Sequence, residues 1–283
     1  MSAPTLSKSP TAPAEPIFGE RPLQPVCTLF GLDILALGFE QAAADLETRA
    51  ASAARPACVV VTPNVDHLTR LDRATPEFRA MYASADAIFA DGMPLVWASR
   101  HFSDTPLPGR VTGSDLFVTL ARRAGERGLP IFVLGGRPGD EAALSAALAA
   151  RFPGLKAEVF SPSMQFDPDG AEGHEALRRI AVSRPAIVFV CLGMPKQERW
   201  AIGHRQAIDA SLVMCVGAAL EFALGQKRRA PAWMQQMGFE WLWRLLSEPR
   251  RLWRRYLVQS LRFARLLRRE RVASLQRRQA GRP

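Results

Sequence analysis

Short, almost unbroken apolar runs recur along this chain, and each ends in a polar or glycine-bearing turn. ACVVVT (57–62), AIFA (87–90), PIFVLGG (130–136), AIVFVCLG (186–193) and LVMCVG (212–217) are too short for buried helices and rich in β-branched residues. Between them lie stretches with helical composition: FEQAAADLETRAASAA (39–54), parts of 65–84, a segment from Gly113 to about Arg127, residues 140–151 and residues 171–183. LKAEVF (155–160) adds a further strand, and VCTLFGLDILAL (26–37) reads as a strand or hairpin. Strands with no polar alternation are buried on both faces. Their alternation with helices predicts an α/β fold, a Rossmann-like parallel sheet covered by helices over residues 26–225.

Such a sheet places its ligand crevice at the carboxyl ends of the strands. Three polar clusters fall there. In AIFADGMPLV (87–96), Asp91 follows an apolar run, Gly92 permits a tight turn and Pro94 opens a helix. An isolated Asp-Gly at such a place is ordinarily a helix cap. VVVTPNVD (59–66) and IVFVCLGMPKQE (187–198) end on the same edge, however, which favours a shared site. In the latter, Gly193 and Pro195 shape a turn beside Lys196, Gln197 and Glu198. The turn LGGRPG (134–139) exposes backbone N–H groups suited to phosphate, but its glycines do not follow GxGxxG, and a plain βα turn explains it equally well.

Charge is unevenly distributed. The net +10 is carried by residues 227–283, with 16 Lys or Arg against three Glu; the rest has 21 basic and 24 acidic residues. On a helical wheel, Leu252, Trp253, Tyr256, Leu257, Phe263, Ala264, Leu266 and Leu267 share one half, and eight arginines between Arg250 and Arg269 share the other. Residues 226–283 are therefore expected to form a basic amphipathic helical appendage that associates with membrane, broken at Pro249. A chain ending near residue 226 is expected to stay folded without it. Residues 1–25, rich in Pro, Ser and Ala, read as a disordered leader with no signal-peptide h-region.

Several classes are set aside. Cys27, Cys58, Cys191 and Cys215 are widely spaced in apolar surroundings, a reduced, cytosolic pattern. The histidines form no HxxxH or HxH pair, and DPD (167–169) lacks a preceding strand end, so no metal site and no cofactor are expected. An Arg-rich nucleic-acid-binding protein is the alternative from another class. The Trp and Tyr on the apolar half of the wheel have no use in a phosphate groove, so nucleic acid is not expected as a partner.

TPN (62–64), ADGMPLV (90–96), RVTGSDL (110–116), LGGRPG, LGMPKQERW (192–200) and RAPAWMQQMGFEWLWRLLSEPRRLWRRY (229–256) together resemble the WecG/TagA/CpsF family of bacterial glycosyltransferases, in order and spacing, over residues 26–260. The resemblance implies an inverting transferase on the inner face of the cytoplasmic membrane. It would move N-acetylmannosamine, its uronic acid or glucose from a UDP-sugar to a polyprenyl-diphosphate-linked sugar. It implies Asp91 as general base, Thr62, Arg110 and Gln197 as catalytic partners, and Arg244, Arg251 and Arg254 as diphosphate ligands. On a continuous wheel those three arginines fall within about 80°, so the appendage is expected to complete the active site, and a chain ending near residue 226 to lose membrane binding and be nearly inactive. Asn64, Gly135, Gly136, Gly193, Lys196 and Glu221 complete the candidate substrate-binding set. Glu221 stands where the family usually has aspartate. A non-catalytic UDP-sugar-binding regulator is a further alternative, and oligomeric state is left open.

Overall fold

A computed structural model of the protein describes residues 24–226, 230, 231, 234, 240–247 and 249–280; side chains of residues 240, 241, 244, 247, 249–259 and 280 lie outside that description. The chain opens with an antiparallel hairpin, β1 (Val26–Leu29) and β2 (Leu32–Leu35), followed by α1 (Phe39–Ala51). Then come β3 (Cys58–Val61), α2 (Val65–Leu71), α3 (Pro76–Ala83), β4 (Ala87–Ile88), α4 (Met93–Phe102) and α5 (Gly113–Arg127). The second half runs β5 (Ile131–Gly135), α6 (Glu141–Arg151), β6 (Ala157–Phe160), α7 (Ala171–Ser183), β7 (Ile187–Cys191), α8 (Lys196–Gly203), β8 (Leu212–Cys215) and α9 (Ala219–Ala223). Two further helices, α10 (Glu240–Ser247) and α11 (Pro249–Ala280), lie near the C terminus. The apolar runs are strands and the intervening stretches helices, as their period predicts.

β3 to β8 form one six-stranded sheet in the order β4-β3-β8-β7-β5-β6, with every neighbouring pair parallel. Successive residues of each central strand enter opposite cores. Val59, Val61, Phe132, Leu134, Val188, Val190 and Val213 face the hairpin, α2, α3, α4, α7 and α8. Val60, Ile131, Val133, Ile187, Phe189, Leu212 and Met214 face α1, α5, α6 and α9. This two-sided burial is why the strands carry no polar alternation. Register aligns Ile88, Val61, Cys215 and Val190 across four adjacent strands, so the residues that follow each of them emerge at one level.

Within the appendage, residues 240–247 and 249–280 are helical, with Pro249 opening the last helix. Three of its described apolar residues turn toward the domain. Phe263, Leu266 and Leu267 pack against the hairpin-side core, and α11 lies along α2 and α4. Phe263 is 5.8 Å from the Phe30 ring. This part of the apolar face covers the protein's own core, because the hairpin and α2 leave apolar surface there that would otherwise meet water. The Trp253 and Tyr256 side chains lie outside the described residues. Among the described residues, no helix is long and apolar enough to cross a membrane.

Candidate active site

A cavity of about 290 Å³ opens at the carboxyl ends of β4, β3, β8 and β7. Thr62, Asn64, Asp91, Gly193 and Gln197 all line it, so the three sequence clusters converge as the crevice argument requires. The pairing of β3 and β4 continues past the strand ends: Phe89 N–H donates to Val61 O at 3.0 Å and Asp91 N–H to Pro63 O at 2.9 Å. Asp91 is thereby held beside the TPN turn. The residue at the N-cap of α4 is Gly92, with φ +133°. Asp91 thus precedes the N-cap position, and the glycine there takes a conformation other residues rarely adopt.

Asn64 has a structural task besides lining the cavity. As the N-cap of α2, its Oδ1 accepts from Asp66 N–H at 3.0 Å and from His67 N–H at 3.2 Å. Thr62 is buried against the first turn of α5, where Gly113 leaves room: a Cβ on Gly113 would sit 2.7 Å from Thr62 Oγ1. Arg110 does not line the cavity, but its loop is fixed beside it by Val111 N–H donating to Ala90 O at 2.8 Å.

Gln197 is a hub. It is 1% exposed, and its Oε1 accepts from Gly193 N–H at 3.1 Å and Gly217 N–H at 3.0 Å. Its Nε2 donates to Glu198 Oε1 at 2.9 Å. The amide thus ties the loop after β7 to the loop after β8.

Other expected substrate contacts are elsewhere. Gly135 and Gly136 do not line the cavity; β7 lies between their strand and β8. Their lack of side chains serves packing: a Cβ would meet Cys191 Cβ at 2.7 Å from Gly135 and Ser161 Oγ at 2.8 Å from Gly136. Lys196 Nζ donates to Met164 O at 2.9 Å, away from the lining, and Glu221 on α9 is also outside it. Arg244, Arg251 and Arg254 have side chains outside the described residues. In the DPD segment, Asp167 Oδ1 accepts from Asp169 N–H at 3.2 Å in a local turn. Asp169 lies 3.8 Å from His204, at the far end of α8 from the crevice. Among the described residues, no group of three His, Cys, Asp or Glu side chains is placed to hold a metal ion.

The cavity also contains residues that motif reading passed over. His67 and Arg70 follow Asn64 at intervals of three, one face of α2, and a helical wheel begun at the cap would have found them. His67 Nδ1 is 3.2 Å from the Tyr82 hydroxyl. Burial pulls the His67 pKa down to about 4, so the ring is neutral near pH 7. Burial also raises the Tyr82 phenol and the Cys215 thiol well above their usual values. Arg70 bridges the cavity, with Nε 3.0 Å from Asp66 Oδ2 and Nη1 donating to Met194 O at 3.0 Å. Two of its five donors are engaged there, and a guanidinium offers the remaining ones in a fixed fork.

The arrangement is two carboxylates, Asp91 and the Arg70-paired Asp66, with a fixed guanidinium, a neutral imidazole and short hydroxyl and amide groups around a crevice, which suits handling of a polar, phosphorylated ligand. Residues 27–277 match the family described as "Glycosyl transferase WecG/TagA/CpsF family". With nearly the whole chain matched and the motif residues gathered at one strand edge, the chain belongs to the WecG/TagA/CpsF family of glycosyltransferases.

Proposed function

We propose that the protein is an inverting glycosyltransferase that moves N-acetylmannosamine, its uronic acid or glucose from a UDP-sugar to a polyprenyl-diphosphate-linked sugar during cell-surface polysaccharide synthesis. The observation that carries this reading is the position of Asp91, in the cavity at the end of β4 with the helix-cap place taken by Gly92. Inversion is a single in-line displacement at the anomeric carbon. The acceptor oxygen attacks, the bond to UDP breaks, and the acceptor hydroxyl proton passes to a carboxylate. Asp91 is that base, a role contributing about 10²–10⁴-fold. Negative charge developing on the leaving diphosphate is met by guanidinium groups. Arg70 is the described cavity residue of that kind, and Arg244, Arg251 and Arg254 are proposed to join it. Thr62, Arg110 and Gln197 orient the reacting groups.

The protein acts from the cytoplasmic side as a peripheral membrane protein. The outward face of α11 supports this, with Arg265, Arg268 and Arg271 exposed beside exposed Leu261, Val272 and Leu275. UDP release, screened over the three donors with a lipid-diphosphate sugar acceptor, tests the whole reading. Asp91→Asn is expected to retain folding and UDP binding while lowering transfer by at least about 10²-fold. Turnover near the wild-type rate would remove Asp91 from the chemistry.

A further inference from the structure

The floor of the cavity is held by a side-chain device in which only one member touches the site. Gly193 and Gly217, from the loops after β7 and β8, both line the cavity, and both backbone N–H groups point to Gln197 Oε1. The reverse orientation of the Gln197 amide would set its NH2 group against two N–H donors. What holds the correct orientation from the other side is Glu198, whose Oε1 accepts the Gln197 Nε2–H. Glu198 has no solvent exposure, and its Oε2 is the buried side-chain oxygen without a hydrogen-bond partner among the described residues.

A carboxylate is a costly acceptor to bury. What it offers the Gln197 bond over a neutral side chain is a charge-strengthened acceptor with no donor of its own, until it takes up a proton. Burial raises the Glu198 pKa to about 7; the bond from Gln197 and the Arg70 charge on α2 oppose that rise. The titratable groups facing it from the other packed elements are Tyr82 on α3 and Cys215 on β8, both held protonated by burial. The core residues Val59 and Val61 of β3 and Val188 and Val190 of β7, on the same side of the sheet, are apolar.

We propose that Glu198 is a positioning residue that, through the Gln197 amide, holds the Gly193 and Gly217 loops at the separation the donor nucleotide requires, and that protonation of Glu198 releases them. Ionised, the carboxylate can only accept, and its charge strengthens the bond from Gln197. A proton taken from solvent gives it an O–H donor, which competes with the two glycine N–H groups for Gln197 Oε1. The clamp then loosens and the nucleotide is held less firmly. The inference takes the cavity as the UDP-sugar site, the reading made above.

The test uses the full chain labelled with ¹⁵N in Gly and Gln. In the wild type, the Gly193 and Gly217 amide signals and the Gln197 side-chain signal are expected to shift together with a midpoint near about pH 7. UDP, titrated calorimetrically, should bind about tenfold more weakly on the acid side, the effect of one buried hydrogen bond. Glu198→Gln carries an N–H donor and no charge, like the protonated acid, and does not titrate. It is expected to lose the midpoint and to hold UDP, at all these pH values, within a few-fold of the wild type's acid-side affinity. Glu198→Ala is expected to bind UDP weakly throughout. A Glu198→Gln protein that keeps the midpoint, or wild-type signals that do not titrate together, overturns the inference. If the three signals titrate but UDP binds at no pH, the donor reading fails and the linkage between Glu198 and the loops stands.

Discussion

The backbone N–H of Phe30 donates to Glu270 Oε2 at 2.9 Å, joining the turn of the first hairpin to the last helix across 240 residues. Phe30 occupies the left-handed region, with φ 54°, as a two-residue hairpin turn requires. Arg277 Nη2 donates to the other Glu270 oxygen at 2.6 Å, so the carboxylate is engaged on both sides although it is 5% exposed. Arg269 pairs with Asp72 at 2.7 Å, fastening the same helix to the segment after α2. A chain ending near residue 226 would uncover the core beneath Phe263, Leu266 and Leu267. It is expected to melt well below the full chain or to aggregate, contrary to the reading of the appendage as separable. Glu270→Ala, leaving two donors unmatched, should cost about 1–3 kcal/mol in thermal unfolding. An unchanged melting temperature in both would make the contact incidental.

The proposed membrane attachment is expected to use the face of α11 on which Arg265, Arg268 and Arg271 are exposed. Basic residues near an anionic surface contribute about 1 kcal/mol each and are screened by salt. Vesicles containing anionic lipid should therefore bind the protein at low salt and release it at high salt. Replacing Leu261, Val272 and Leu275 together by Asp is expected to weaken binding without changing the melting temperature, since all three are exposed. Equal retention on neutral vesicles would argue against an electrostatic surface.

Gly113 opens α5, where alanine would ordinarily improve helix stability. Here a Cβ would press on Thr62 Oγ1 at 2.7 Å and on Val216 Cγ1 at 3.3 Å. Gly113→Ala is expected to cost about 1–3 kcal/mol through overpacking and to lower transfer further by displacing Thr62. Transfer at the wild-type rate would show that the Thr62 position is not critical.

His67 and Glu198 should tilt the pH dependence of stability in opposite directions. His67 has its folded pKa lowered to about 4 from 6.5, so the unfolded chain binds more protons between those values. Its contribution is present above about pH 6.5 and is lost as pH falls toward 4. Glu198 has its folded pKa raised to about 7 from 4.5, so the folded chain holds the extra proton, and stability falls as pH rises through that range. At about 1.4 kcal/mol per unit, each effect is on the order of 3 kcal/mol. In urea melts, Glu198→Gln should gain on the wild type as pH rises from about 5 to 8. His67→Gln should lose less than the wild type between about pH 7 and pH 4. Parallel profiles for all three proteins would contradict both assignments.

What the sequence by itself determined is local. Unbroken apolar runs made the strands, Thr112 set the start of α5 by capping it as N-cap, and Asp91, Thr62, Asn64, Gly193 and Gln197 could be assigned to one edge because parallel strands all end on the same side. Strand order was a tertiary decision. It set β7 between β5 and β8, so the glycine turn at 135–136, equal in appearance to a phosphate loop, serves packing outside the cavity. Burial of Glu198 was likewise illegible, since a charged residue in the first turn of a helix reads as solvated until α3 and β8 close over it. The apolar half of α11 had the right period, but a period cannot name the surface it will meet. Helical and strand periods are properties of neighbouring residues. Which surfaces meet is decided by burying the most apolar area among elements far apart in the chain, and α11 met the hairpin and α2 because they left apolar surface to cover.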